Sequence, residues 1–189
     1  MLPSASMNIP SYAADYDADY YAHGCGTPYA RDEAWLGFFG TVAERIIEGI
    51  APASALDVGC AMGFLVEALR ARGVAAWGCD VSAFAISQVH GDVAPYCRTL
   101  PIGAPLPDQW PQRFDLVTCI EVLEHLPAQE AAGAIAWLCG LSDDILFSST
   151  PHDHAEPTHH NVQPIDYWAG LFARAGFYRD LDFEARFLT

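Results

Sequence analysis

The residues best suited to chemistry follow two short apolar runs that are typical of buried strands. The turn after the first run holds Asp57, Gly59, Ala61 and Gly63, and the second run ends at Asp80. A strand, tight turn, helix and second strand place such residues at the carboxyl ends of parallel strands, where nucleosides bind. A dinucleotide site would show G-x-G-x-x-G, whereas here small residues alternate and an acid precedes them. That carboxylate would repel a pyrophosphate but would suit a cationic ligand.

This alternating pattern, D-x-G-x-A-x-G at 57–63, resembles motif I of class I S-adenosylmethionine (SAM) methyltransferases. In that family the loop lies under the methionine part of SAM, and the acid after the second strand binds both ribose hydroxyls. The alternative is an ordinary turn that binds no ligand. The resemblance implies one set of cofactor-binding residues in this region: Asp57, Gly59, Cys60, Ala61, Gly63, Asp80 and Val81.

A second block supports the same resemblance. The sequences F-D-L-V at 114–117 and E-V-L-E-H-L at 121–126 are similar to two motifs that occur in this order in those methyltransferases. The family places the end of this strand beside the methionine part of SAM, which implies that Ile120 and Glu121 border the cofactor. His125 has two interpretations: it packs or caps the next helix, or it faces the substrate as a base.

The segment after the predicted fifth strand is rich in polar side chains. It is similar to a stretch, E-x-T-H-x-N, that many small-molecule and sugar methyltransferases carry before a helix. The resemblance favours His159 as the base, because a neutral imidazole accepts a hydroxyl proton near pH 7. We expect His160, Asn161 and Glu156 to contact the substrate. A structural loop and a metal site built from His152, Asp153, His154 or Glu156 stay open as alternatives.

The N-terminal segment, residues 1–31, is predicted to be an arm and a cap, with residues 1–10 as a loose arm. The cap is dense in tyrosine and aspartate. Tyr29 and Arg31, together with Tyr20 and Tyr21, either close over SAM or pack on the edge of the sheet. In the first case Arg31 or a tyrosine hydroxyl would meet the SAM carboxylate.

The composition limits the partners that the chain can have. Its 189 residues fit one domain, and its formal net charge is −15, with nine basic residues that are all arginine. Such a surface repels phosphate backbones and anionic lipids, so we expect a neutral or cationic small molecule and neither nucleic acid nor membrane. The six cysteines stand singly, which favours buried thiols in a reducing cytoplasm over a zinc cage or disulfides. The oligomeric state stays open.

Hydrophobic periodicity predicts the elements that position these residues. Strands are expected near 55–58, 74–79, 96–100, 114–120, 144–149 and 178–188, and helices near 32–49, 64–72, 83–89, 127–139 and 164–175. This alternation predicts an α/β, Rossmann-like fold over residues 32–189, with a mostly parallel sheet and helices on both faces. The family usually ends in an antiparallel strand pair. We therefore expect that the last strand is missing or that the chain is the leading part of a longer protein.

The sequence therefore predicts a SAM-dependent methyltransferase that methylates an oxygen of a small molecule or sugar. Two alternatives stay open: a SAM-binding module without activity in a larger enzyme, and an N-methyltransferase that acts on an amine. A nicotinamide-dependent oxidoreductase is disfavoured, because the second half of its glycine motif is absent.

Overall fold

Strands and helices alternate from residue 54 onward in the computed structural model, which describes residues 9–187. The strands are β1 (Ser54–Val58), β2 (Ala75–Asp80), β3 (Cys97–Thr99), β4 (Leu116–Ile120) and β5 (Ile145–Ser148). The helices are α1 (Glu33–Gly49), α2 (Phe64–Ala71), α3 (Ala83–Ser87), α4 (Ala131–Leu141), α5 (Ile165–Arg174) and α6 (Leu181–Phe187). Short helical turns occur at Ser11–Asp15, Tyr20–Gly24, Ala94–Tyr96 and Leu123–His125. The first eight residues of the predicted loose arm lie outside the described residues.

The described strands form one parallel sheet in the order β3-β2-β1-β4-β5. Leu56 in β1 is paired with Trp77 on one side and with Val117 on the other. The chain runs outward from β1 through β2 to β3, and then returns to place β4 on the other side of β1. The loops after β1 and β4 therefore diverge at a switch point, which is where ligands bind in such sheets. The predicted α/β fold is confirmed.

Apolar side chains bury both faces of the sheet. On one face α4 and α5 pack on β1 and β4 through side chains such as Ile135, Leu138 and Trp168. On the other face α1 and α2 pack through side chains that include Ile46 and Leu69. Helices on both faces leave the carboxyl ends of the strands as the edge where polar groups can gather.

The predicted sixth strand at 178–188 is wrong, because Leu181–Phe187 is the helix α6. Asp180 begins this helix by accepting a hydrogen bond from the backbone N–H of Phe183 at 2.9 Å. The rings of Phe183 and Phe187 then lie on one side of the helix, with their centres 5.4 Å apart. The alternation of apolar residues that suggested a strand is weaker than this local cap and the packing on α1.

No helix among residues 9–187 is both long enough and apolar enough to cross a membrane.

Candidate functional site

The turn after β1 adopts a backbone that favours glycine. Gly59 and Gly63 have φ angles of +77° and +76°, and Ala61 between them has +46°. The N–H groups of Gly59 and Cys60 both donate to the carbonyl of Cys79 in β2, at 2.8 and 3.0 Å. A side chain at Gly59 would collide with Val122 after β4. The turn is thus folded tightly between β2 and the segment that follows β4.

Asp80 holds the same turn from the end of β2. Its carboxylate accepts a hydrogen bond from the N–H of Ala61 at 2.8 Å and another from the N–H of Ser82 at 2.8 Å. Burial raises the pKa of Asp80, while these backbone donors oppose the rise. The side chain that the resemblance assigns to ribose binding therefore also shapes the loop.

Asp57 is the second buried acid at this edge. The hydroxyl of Thr118 in β4 donates to its carboxylate at 2.6 Å. Burial, opposed by the Thr118 hydroxyl and assisted by the nearby charge of Asp80, raises the pKa of Asp57 to about 7. Two neighbouring carboxyl groups with raised pKa values form a site whose charged state a cation would stabilise.

A cavity of about 800 Å³ opens beside these acids, at the carboxyl ends of the strands. No arginine is among its lining residues, and the formally charged side chains there are all aspartate or glutamate. Leu100 and Ile102, which follow β3, supply an apolar wall. The cavity is large enough for a nucleoside together with a second small molecule.

Aromatic residues from the N-terminal segment cover this cavity, and we call them the tyrosine cap: Tyr12, Tyr16, Tyr20, Tyr21 and Tyr29. Tyr29 stacks on Phe64 with ring centres 5.0 Å apart. The carbonyl of Tyr16 accepts a hydrogen bond from the hydroxyl of Ser82 at 2.6 Å. The Tyr16 ring meets the ring of His125 edge-on at 5.5 Å. The tyrosine cap is therefore hydrogen-bonded to the segment after β2 and also packs on the segment after β4.

Two imidazoles lie together on the other side of the cavity. The rings of His125 and His159 have centres 4.6 Å apart, and both residues line the cavity. Nδ1 of His159 is 2.8 Å from the carbonyl of Asp153. Nδ1 of His125 is 3.0 Å from the hydroxyl of Thr158. Burial and, to a smaller extent, the neighbouring His159 lower the pKa of His125 to about 4. His125 is therefore neutral near pH 7.

The segment 149–164, which we call the histidine loop, is tied to the segment after β4 by Glu124. The carboxylate of Glu124 accepts from the N–H of Thr150 at 3.1 Å, and its carbonyl accepts from the N–H of Asn161 at 2.8 Å. Glu124 is fully buried, and burial raises its pKa to about 8. These bonds set the distance between the two loops that carry the histidines.

Most of the residues proposed from sequence come together around the cavity. Those that line it are Tyr29, Asp57, Gly59, Cys60, Ala61, Asp80, Val81, Ile120, Glu121, His125, Glu156 and His159. The tyrosines of the predicted cap, Tyr20 and Tyr21, also line it. Glu121 has a φ of +53° and accepts a hydrogen bond from the Ser148 hydroxyl at 2.7 Å.

The other proposed residues lie outside the lining. Arg31 is paired with Glu67 of α2, which engages its guanidinium through two hydrogen bonds. Gly63 lies behind the turn, where an added side chain would approach Cys97. His160 is exposed, and Asn161 is buried against Glu124.

The sequence places Tyr12 and Tyr16 in the predicted cap and Thr158 in the E-x-T-H-x-N stretch, but it assigns none of the three a role in the site. The two tyrosines stand at four-residue spacing with Tyr20, a period that could have marked one face of a helical segment. The contact of Thr158 with His125 has no such signal, because the two residues are distant in sequence. Among residues 9–187, no group of three or more His, Cys, Asp or Glu side chains is placed to hold a metal ion.

The sequence profile of a methyltransferase domain family matches residues 34–180. The ubiquinone biosynthesis O-methyltransferase of Pseudomonas fluorescens strain ATCC BAA-477 is 38% identical over 91 residues, which are 46% of this chain and 38% of that protein. The protein of the same name from Nitrosomonas europaea is 37% identical over 90 residues, or 44% of this chain and 37% of that protein. The chain therefore aligns with well under two thirds of the length of these relatives.

Solved structures share the fold. A magnesium protoporphyrin IX methyltransferase from Synechocystis PCC 6803 with bound SAM superposes with a TM-score of 0.60 at 18% identity, covering 89% of this chain and 87% of that one. A SAM-dependent methyltransferase from Archaeoglobus fulgidus gives a TM-score of 0.59 at 19% identity, covering 77% of this chain and 70% of that one.

Proposed function

We propose that this chain, which belongs to the methyltransferase domain family that matches its residues 34–180, transfers a methyl group from SAM to a hydroxyl oxygen of a small molecule. One observation carries the proposal. The acidic turn that suits a cationic nucleoside and a pair of imidazoles that can accept a proton line the same cavity. The name of the O-methyltransferase relatives supports oxygen as the acceptor atom.

The described residues fit SAM in shape and charge. Gly59 lines the cavity and has no side chain, so a ligand can approach its backbone there. Asp57 and Asp80 would stabilise the positive charge of the cofactor, and the carboxylate of Asp80 can accept hydrogen bonds from ribose hydroxyls. Leu100 and Ile102 supply an apolar wall for the adenine ring. When bound, SAM supplies an electrophilic methyl group.

The protein's own contribution is to position the acceptor, exclude water and accept a proton. The tyrosine cap covers the cavity, which keeps water away from the reacting atoms. Holding the acceptor oxygen in line with the methyl group supplies much of the acceleration. His159 and His125 are the candidates for the base that takes the hydroxyl proton, since both line the cavity and His125 is held neutral.

The tyrosine cap favours the binding of a ring-shaped acceptor over that of an extended chain. Tyr12, Tyr16 and Tyr20 line the cavity with aromatic side chains, which pack well on the rings of phenols and sugars. The negative charge of the chain and its free cysteines support a neutral acceptor, no nucleic acid partner and a place in the cytoplasm.

Binding and methyl-transfer measurements test the proposal. S-adenosylhomocysteine should raise the Tm, whereas NAD should not, because only the former suits the acidic turn. With labelled SAM, catechol, phenol or octyl glucoside should gain the label faster than benzylamine.

Three results would change the assignment. A Tm shift without labelled product would favour a binding module, and labelling of benzylamine alone would favour an N-methyltransferase. Stabilisation by NAD instead would contradict the methyltransferase assignment.

A further inference from the structure

Thr158 in the histidine loop connects a carboxylate to one of the two imidazoles. Its hydroxyl donates to the Oε1 atom of Glu156 at 2.8 Å, and its N–H donates to the same oxygen at 2.9 Å. The Nδ1 atom of His125 lies 3.0 Å from the Thr158 hydroxyl oxygen and 3.3 Å from the Thr158 carbonyl. Three residues thus form one chain of hydrogen bonds.

These bonds determine which nitrogen of His125 carries the proton. The single hydroxyl proton of Thr158 is given to Glu156, so the hydroxyl oxygen can only accept from His125. The Thr158 carbonyl can also only accept. Both neighbours therefore require Nδ1 of His125 to be the protonated nitrogen, and Nε2 keeps its lone pair.

The Nδ1 bonds leave Nε2 of His125 available to a ligand in the cavity, which this residue lines. Among residues 9–187, the hydrogen bonds of this ring go through Nδ1, and the residue lines the cavity beneath Tyr16 and Tyr20. The arrangement aims a proton acceptor at the space where an acceptor hydroxyl would bind.

We propose that Thr158, held by Glu156, is a positioning residue that keeps His125 in the tautomer whose Nε2 accepts the proton of the methylated hydroxyl. This inference rests on the proposed O-methyl transfer and adds to it a residue that makes no contact with the reacting atoms.

The acceptor oxygen forms a bond to the methyl carbon as the carbon–sulfur bond breaks. The electron pair of the broken bond stays on sulfur. The hydroxyl proton passes to Nε2 of His125, and the resulting imidazolium keeps its Nδ1–H bond to Thr158. A weak base suffices, because the oxygen becomes strongly acidic as it gains the methyl group. The proton then returns to water when the product leaves.

Two substitutions of Thr158 distinguish the effect of its hydroxyl group from the effect of its side-chain shape. Thr158→Val keeps the branched shape and removes the hydroxyl, so we expect the kcat for catechol methylation to fall about 10- to 100-fold. Thr158→Ser restores a hydroxyl and should recover most of that loss. The KM for SAM and the affinity for S-adenosylhomocysteine should change little in either variant. Thr41→Val, on the exposed face of α1, is the matched control.

The tautomer itself provides a second measurement that needs no acceptor. Proton–nitrogen correlation NMR of the wild-type protein should show His125 protonated at Nδ1, and Thr158→Val should reduce that population. An Nε2-protonated ring in the wild type would overturn the inference, as would equal kcat values for the Val and Ser variants. If the wild type methylates nothing, the proposed function fails, and the NMR spectrum alone then decides the tautomer.

Discussion

Burial sets the protonation of single residues around the cavity. It raises the pKa values of Asp57 and Asp80 and lowers that of His125, so each group is driven toward its neutral form. For His125 the neutral form is the one that accepts a proton. For the two acids, a cationic ligand would restore the charge that burial disfavours. The same physical effect therefore prepares one side of the cavity for the cofactor and the other for the acceptor.

Asp57→Asn should make the protein more stable, by an amount that depends on pH. The folded protein keeps the Asp57 proton up to about pH 7, whereas the unfolded chain releases it near the usual pKa of 3.8. Between these values the unfolded state binds fewer protons, so the free energy of unfolding falls as pH rises. The Tm advantage of Asp57→Asn should therefore grow from about pH 4 to pH 7, reach roughly 3–10 °C and then level off.

The exposed Asp108→Asn is the matched control for this change, and its Tm should follow the wild type at every pH. A difference in Tm between Asp57→Asn and the wild type that stays constant with pH would mean that Asp57 ionises normally in the folded protein.

At the scale of elements, the segments after β1 and β4 are built against each other. Gly59 can take its left-handed conformation beside Val122 only because it has no side chain. Glu124, close behind Val122, holds the histidine loop through Thr150 and Asn161. The cofactor turn and the loop of the imidazoles are thus positioned by one short segment.

Gly59→Ala should disturb this junction far more than a glycine replacement elsewhere. A methyl group there meets both an unfavourable φ and the Val122 side chain, so we expect a Tm several degrees lower and at least tenfold weaker binding of S-adenosylhomocysteine. Calorimetric unfolding and titration with S-adenosylhomocysteine measure both effects.

Gly73→Ala separates the effect of the unfavourable φ from the effect of the contact with Val122. Gly73 also has a positive φ, of +88°, but an added methyl group there meets no atom within 4 Å. This variant should lose stability by about 1 kcal/mol and keep its affinity. Equal affinities in the two alanine variants would show that the contact with Val122 is unimportant.

The elements differ in how far the sequence could predict them. The turn at Gly59 and the acids beside it can be predicted from the spacing of nearby residues. A strand, a glycine turn and a helix that follow one another directly leave a local pattern in the sequence. The alternating apolar pattern predicts a strand where α6 lies, but the cap at Asp180 stabilises a helix instead. The contact of Thr158 with His125 joins distant loops, and no local pattern encodes it.

At the scale of the whole molecule, negative charge dominates. The net charge is −15, and the formally charged side chains that line the cavity are all aspartate or glutamate, without any arginine. An anionic acceptor must approach through this potential and then lie near Asp57, Glu121 or Glu156.

A carboxylate on the acceptor should therefore weaken its binding. We expect the KM for 3,4-dihydroxybenzoate to exceed that for 3,4-dihydroxybenzamide, its neutral counterpart of the same shape, by about 3- to 10-fold at low salt. Added salt should reduce the difference, because it screens the long-range part of the repulsion. Equal KM values at low salt would contradict this account of the cavity.

Tyr16 joins the two ends of the site through a single residue. Its carbonyl is held by Ser82, next to the acid at the end of β2, while its ring rests on His125. If the cap lifts to let the spent cofactor leave, the same movement uncovers the imidazole to water. Proton transfer and exchange of ligands would then exclude each other in time, because both depend on the position of this one residue.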